Sequence, residues 1–171
     1  YITNIVSTNF FSLYVTQWLG IESRYLAFFP ILNAAVMLIF MIGIQHKLEL
    51  VKFRIPMWIG LALYAIAVIL LILAPTGSIP FVIVYVFVVA VAGSLVMPRK
   101  DALIQLNINA EERARINALI MSFTIAFSSP FGYFAGWLSS IDRRLPFMFS
   151  FALFLVAIII VGRIRDPEFS K

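Results

Sequence analysis

The sequence predicts an all-α fold, a polytopic transmembrane helix bundle of six spans. Three observations carry this. Of the 171 residues, 63% are hydrophobic and 12% are charged, against about 45–50% and about 25% in soluble domains. A chain of this size cannot bury so much apolar surface in water, whereas lipid can cover an apolar exterior. The charges are also segregated, leaving uncharged runs at 1–21, 25–45, 55–98, 116–141 and 145–162. A crossing needs roughly 17–25 residues, so each run suffices.

The first run gives a span near 1–20, and it is the most polar. It carries Thr3, Asn4, Ser7, Thr8, Asn9, Ser12, Thr16 and Gln17, groups that need an interior or a watery cavity rather than acyl chains. The second span lies near 26–45. The run 55–98 would make one helix about 66 Å long, about twice the hydrocarbon thickness. Pro75, Thr76, Gly77, Ser78 and Pro80 break it, because such clusters favour a turn. Two antiparallel spans follow, near 55–74 and 80–98. Residues 102–110 (ALIQLNINA) are too short to cross and are expected as an interfacial loop or as turns leading into the fifth span. That span, near 116–139, tolerates Pro130 as a kink, and the sixth lies near 145–162.

Lys and Arg set orientation. With six spans, one side holds Lys47, Lys52, Arg54, Arg99, Lys100, Arg113, Arg115, Arg163, Arg165 and Lys171. The other holds Arg24, Arg143 and Arg144. Ten against three places both termini in the cytoplasm under the positive-inside rule, in a multi-pass protein of the cell (inner) membrane. The net charge of +5 thus serves topology; the cations form no single patch, and no nucleic-acid partner is expected. Trp18, Trp58 and Trp137 fall near span ends, where interfacial aromatics anchor. The chain begins at Tyr1 without an initiator Met, so residues 1–171 are expected to be one six-helix bundle within a longer chain.

Polarity is uneven among the spans. The third has no Ser, Thr, Asn or Gln, and the sixth has Ser150 alone; both can face lipid around most of their circumference. The fifth has Asn117, Ser122, Thr124, Ser128, Ser129 and Ser139. On the first span Asn4, Thr8, Ser12 and Thr16 recur every fourth residue, which makes one slowly winding stripe. On the fifth, Asn117, Thr124 and Ser128 share a face with Met121 by the same geometry. Two readings stand for these stripes: a wall facing a solute, or a helix seam of small and hydroxyl side chains. Gly132 and Gly136, a small-xxx-small pair, suit close helix packing. No span carries Asp, Glu, Lys, Arg or His, so this chain offers no midplane group for proton relay.

Enzymatic motifs are missing: neither H-E-x-x-H nor G-x-S-x-G nor a P-loop occurs. Cysteine is absent and His46 is the one histidine, so neither a metal centre nor a cofactor is expected, and the protein is not expected to be an enzyme.

Short outer links (21–25, 76–79, 140–145), longer basic inner ones, the acidic-then-Arg segment 110–119 (AEERARINAL) and the polarity profile together resemble the C-terminal six-helix half of a major facilitator superfamily transporter. The likeness covers essentially all 171 residues. The link 43–49 departs from it, keeping Gly43 and Lys47 without the family's Asp-Arg-x-Gly-Arg core. The resemblance implies a secondary transporter moving a small solute by alternating access, with an N-terminal six-helix half as partner and the site at the midplane between the halves. It makes Asn4, Thr8, Ser12, Asn33, Asn117, Thr124 and Ser128 the cavity candidates, with Thr16 on the same stripe. Arg99, Asp101, Glu112 and Arg113 become either ion pairs at the cytoplasmic mouth or solvated loop charges worth about 0–1 kcal/mol per pair. Two alternatives stand beside it. One is a complete six-span protein that homodimerises as a transporter or channel. The other is a scaffold that transports nothing.

Overall fold

Hydrocarbon offers a backbone no water to bond, so a spanning chain must close its hydrogen bonds within a helix. The computed structural model, which describes residues 1–43, 54–106, 108 and 111–163, is helical accordingly. The helices are α1 (Ile2–Leu13), α2 (Phe28–Gly43), α3 (Arg54–Ile72), α4 (Ile79–Leu106), α5 (Arg113–Ile141) and α6 (Leu145–Arg163). A π-helical stretch, Tyr14–Trp18, continues α1, and a 3₁₀ turn, Ser23–Tyr25, precedes α2. There is no strand among the described residues.

Five segments are long and apolar enough to cross a membrane: Ser23–Gly43, Arg54–Ile72, Ile79–Ile104, Arg113–Ile141 and Leu145–Arg163. These mark a helical membrane protein. The expected span near 1–20 is not among them. Its twelve α-helical and five π-helical residues cover about 25 Å at the α-helical rise, less than the hydrocarbon core of about 30 Å. The link 44–53 and the tail 164–171, with the cations Lys47, Lys52, Arg165 and Lys171, lie outside the described residues.

The break at Pro75–Pro80 is where proline and glycine placed it. α3 stops at Ile72, Gly77 takes a left-handed φ of +78°, and α4 begins at Ile79. At the other end of α4 the outcome differs. The helix does not stop at 98 but runs through Pro98 to Leu106, so 102–106 continue the fourth helix instead of leading into the fifth. The reason is physical: a charge ends the apolar stretch that lipid tolerates, but Arg99 and Lys100 remain good helix formers and Asp101 costs a helix only about 0.7 kcal/mol.

α3 packs against α4 and α6, α2 against α4, α1 against α5 and α6, and α5 against α6. The core contains Tyr14, Val15, Leu19, Phe29, Val68, Leu71, Val82, Tyr85, Phe147 and Phe154. The third span therefore does not face outward round most of its circumference. Within its most apolar stretch 44% is buried, against 11% for α5. An apolar residue is equally content against lipid or protein, so the absence of polarity does not choose between them. Size does. Gly60, Ala65 and Ala67 let α3 approach its neighbours closely, as small residues do in membranes.

The tightest approach is at Gly60. A Cβ there would lie 2.5 Å from Val96 Cγ2 and 3.1 Å from both the Ala92 carbonyl oxygen and Leu95 Cβ. Gly132 and Gly136 also face a neighbouring helix, but with more room. Their nearest atoms are Ile5 Cγ2 and the ring tip of Phe10 on α1, each at 3.9 Å, an ordinary contact distance.

Candidate functional site

Asn4, Thr8 and Ser12 are exposed on the open face of α1, while Thr16 is half-buried in the π stretch. The buried side of this segment is formed instead by Val6, Tyr14 and Val15. The stripe is partly self-satisfied: the Thr8 hydroxyl donates to Asn4 Oδ1 at 3.1 Å, and the Thr16 hydroxyl to the Ser12 carbonyl at 2.8 Å. α1 meets the two glycines of α5 through Ile5 and Phe10, beside the stripe rather than along it.

On α5, Asn117 and Thr124 are half-buried, Ser128 is buried and Met121 is exposed. The register between the helices decides which of these can meet the stripe. Gly132 lies at Ile5 and Gly136 at Phe10, so α1 and α5 run parallel, and Ser128 is level with the start of α1. Asn117, fifteen residues before Gly132, is about 22 Å further along the axis. The structure therefore places Ser128 at the foot of the stripe and leaves Asn117 and Thr124 beyond it.

A second polar group forms between α1, α2 and α4. The Phe11 ring stacks on Tyr85 at 5.4 Å and meets Phe29 edge-on at 5.8 Å. One helical turn along each helix in the same direction lie Ser7 on α1 and Asn33 on α2, since residues four apart share a face. The Tyr85 hydroxyl is within hydrogen-bonding reach of Ser7. Asn33 Oδ1 is buried and has no hydrogen-bond partner. Counted from Leu19, which accepts a hydrogen bond from the Gly77 amide in the turn between α3 and α4, Ser7 lies about 18 Å along the axis, near the middle of a bilayer core. Ser7 and Tyr85 were not legible as a pair. The available signal was a tyrosine in mid-span, whose hydroxyl needs a partner wherever its ring is buried.

The cation Arg99 is buried at the end of the apolar part of α4, 5% exposed, and its guanidinium donates to the Leu95 carbonyl at 3.2 Å. Asp101 pairs with its neighbour Lys100 at 3.3 Å, with both side chains about half exposed; such a pair is worth about 0–1 kcal/mol. Glu112 and Arg113 are exposed at the start of α5, where the Glu112 carbonyl accepts the Ile116 amide. Of the four, Arg99 alone is buried.

At the opposite end, the Arg144 guanidinium stacks on the Trp18 indole at 4.6 Å, and Arg143 donates to the Ser139 carbonyl and hydroxyl. Trp58 and Trp137 are exposed near the ends of α3 and α5. Among the described residues no group of three His, Cys, Asp or Glu could hold a metal ion. Comparison with protein families, curated proteins and solved structures gives no match.

Proposed function

We propose that this chain is the C-terminal six-helix half of a secondary transporter of the major facilitator type, moving a small solute by alternating access. One observation carries the reading: in a bundle whose exposed side chains are mostly apolar, α1 turns Asn4, Thr8 and Ser12 outward. Amide and hydroxyl groups left against acyl chains lose hydrogen bonds that water or a polar ligand would supply. A face of this kind belongs against a watery interior shared with a second half. In that arrangement α1 completes the sixth crossing, and the basic ends of the helices lie in the cytoplasm. Substrate then shifts the two access states by binding them unequally.

The test uses the full-length protein in reconstituted vesicles, or cells expressing it against cells that do not, with solutes profiled on both sides. A protein-dependent change in the distribution of at least one small solute is expected. Replacing Asn4, Ser12 and Thr124 together by Leu is expected to lower that flux at least about tenfold, the equivalent of one or two hydrogen bonds, with the protein still folded. Unchanged flux in the folded triple variant removes the cavity assignment. No solute moved by the wild type removes the transporter reading and leaves a scaffold.

A further inference from the structure

We propose that the π-helical stretch Tyr14–Trp18 is a rotary switch for α1: drawn into α geometry, it turns Ile2–Leu13 by one residue position and takes the polar stripe off the open face. As a gate it rests on the transporter reading; as a switch it does not.

A π turn closes its hydrogen bonds over five residues instead of four, and here the Leu19 amide donates to the Tyr14 carbonyl at 3.0 Å. The stretch therefore holds one residue more than an α-helix between the same two ends. Each α-helical residue turns the chain by about 100°, so absorbing the surplus moves every earlier side chain into the place of the residue before it. The far end stays put, because the Leu19 carbonyl accepts the Gly77 amide at 2.6 Å and the Trp18 indole lies under the Arg144 guanidinium. Single π turns inside α-helices are rare and gather at functional sites.

The sequence of α1 suits such a shift. Ile5 and Phe10 lie against Gly132 and Gly136 of α5, where a Cβ at either glycine would still have 3.9 Å. The residues that would replace them are Val6 and Phe11. Each contact thus exchanges aliphatic for aliphatic and ring for ring, at glycines that present no side chain to ride over. Ser7 would enter the buried place of Val6, where its hydroxyl can return to its own helix. Ser12 would leave the open face for the place of Phe11, beside Phe29 and Tyr85. Ile5, Asn9 and Leu13 would then stand where Asn4, Thr8 and Ser12 are exposed, and three polar side chains give way to one. Tyr14 holds the present state through Phe147 and the Leu71 carbonyl, so the turned state is the minor one. Packed helices pass between discrete arrangements of this kind rather than by degrees.

The test measures distances between two spin labels on the full-length protein in detergent. One label stands at Ile59, exposed on α3 and roughly 18 Å along that helix from Leu71; the other is at Ser12 or at Leu13. Each pair should show two distances, and the minor one from Leu13 should equal the major one from Ser12, because one residue takes the other's place. Rotamers of a label do not produce that coincidence. Deleting Gln17, an exposed residue of the stretch, removes the surplus and should leave only the major distance from each site. A single distance in the wild type overturns the proposal, and so do two distances that do not coincide between sites. A minor distance that survives the deletion in a folded protein overturns it as well; should the deletion variant not fold, the wild-type coincidence decides alone. Profiling solutes across vesicles separates the switch from the transporter reading. Coinciding distances in a protein that moves no solute remove the transporter and keep the switch. A folded deletion variant is expected to move solute at least about tenfold more slowly than the wild type, and equal flux overturns the turn as a gate.

Discussion

Replacing Gly60 by leucine is expected to destabilise the bundle by about 3 kcal/mol, the upper part of the range for overpacking a filled interior. The clash has three parts, one of them with Leu95 Cβ at 3.1 Å, which is fixed to its backbone. Val96 Cγ2, which would stand 2.5 Å from the new Cβ, is the end of a side chain and can turn aside. The Ala92 carbonyl oxygen, at 3.1 Å, belongs to the backbone of α4 and cannot. A leucine therefore pushes α3 and α4 apart along their whole interface, the most extensive in the bundle. Gly60→Ala together with Val96→Ala should recover most of the loss, because the closest contact is gone and only those with the Ala92 carbonyl oxygen and Leu95 Cβ, both at 3.1 Å, remain tight. Gly132→Ala is the control. With its nearest neighbour at 3.9 Å, the added methyl meets ordinary contact, and a glycine removed from a helix interior returns about 0.5–1 kcal/mol. Melting of the purified full-length protein in detergent reads all three. A Gly60→Leu protein as stable as wild type would mean the seam is looser than its atoms indicate.

The contrast between Gly60 and the Gly132/Gly136 pair also marks what a sequence can disclose about a membrane bundle. Five span positions were legible because charge and proline report directly on lipid and on backbone hydrogen bonding, while the opening stretch falls short of a crossing. The turn at Gly77 and the helix start at Leu145 lie where those residues put them. Which apolar helix sits inside was not legible, since Leu and Ile gain nothing by choosing protein over lipid. A spaced glycine pair on α5 looked like the close seam, yet a lone glycine on α3 proved closer, because approach depends on what the facing helix offers. The same limit applies to the polar groups. The stripe on α1 was visible from its four-residue recurrence. The corner of Ser7, Asn33 and Tyr85 was not, because it draws one residue from each of three helices, and no spacing along the chain encodes their meeting.

Tyr14→Ala is expected to cost about 3–5 kcal/mol, as for other large aromatic truncations in a core, and to take the orientation of the polar stripe with it. Tyr14 opens the π stretch Tyr14–Trp18 and is 1% exposed. Its ring packs on Phe147 of α6 with centroids 4.8 Å apart, and its hydroxyl donates to the Leu71 carbonyl at 3.2 Å. Leu71 lies in the last turn of α3, where carbonyls have no partner within the helix; Ala74 supplies one donor at 3.3 Å, and Tyr14 a second. One side chain thus ties the end of α1 to both α3 and α6, five residues before Leu19 accepts the Gly77 amide at 2.6 Å. Tyr14→Phe separates the two contributions. It keeps the ring and loses a hydrogen bond whose acceptor retains another donor, so about 1 kcal/mol is expected, with flux near wild type. In Tyr14→Ala flux should fall along with stability, because α1 is then free to rotate its hydroxyls away from the interior. If the alanine variant melts within about 1 kcal/mol of wild type, the ring contact with Phe147 is not what holds α1 in place, and the stripe must be fixed by the other contacts of α1, among them Ile5 and Phe10 against α5 and Phe11 against Phe29 and Tyr85.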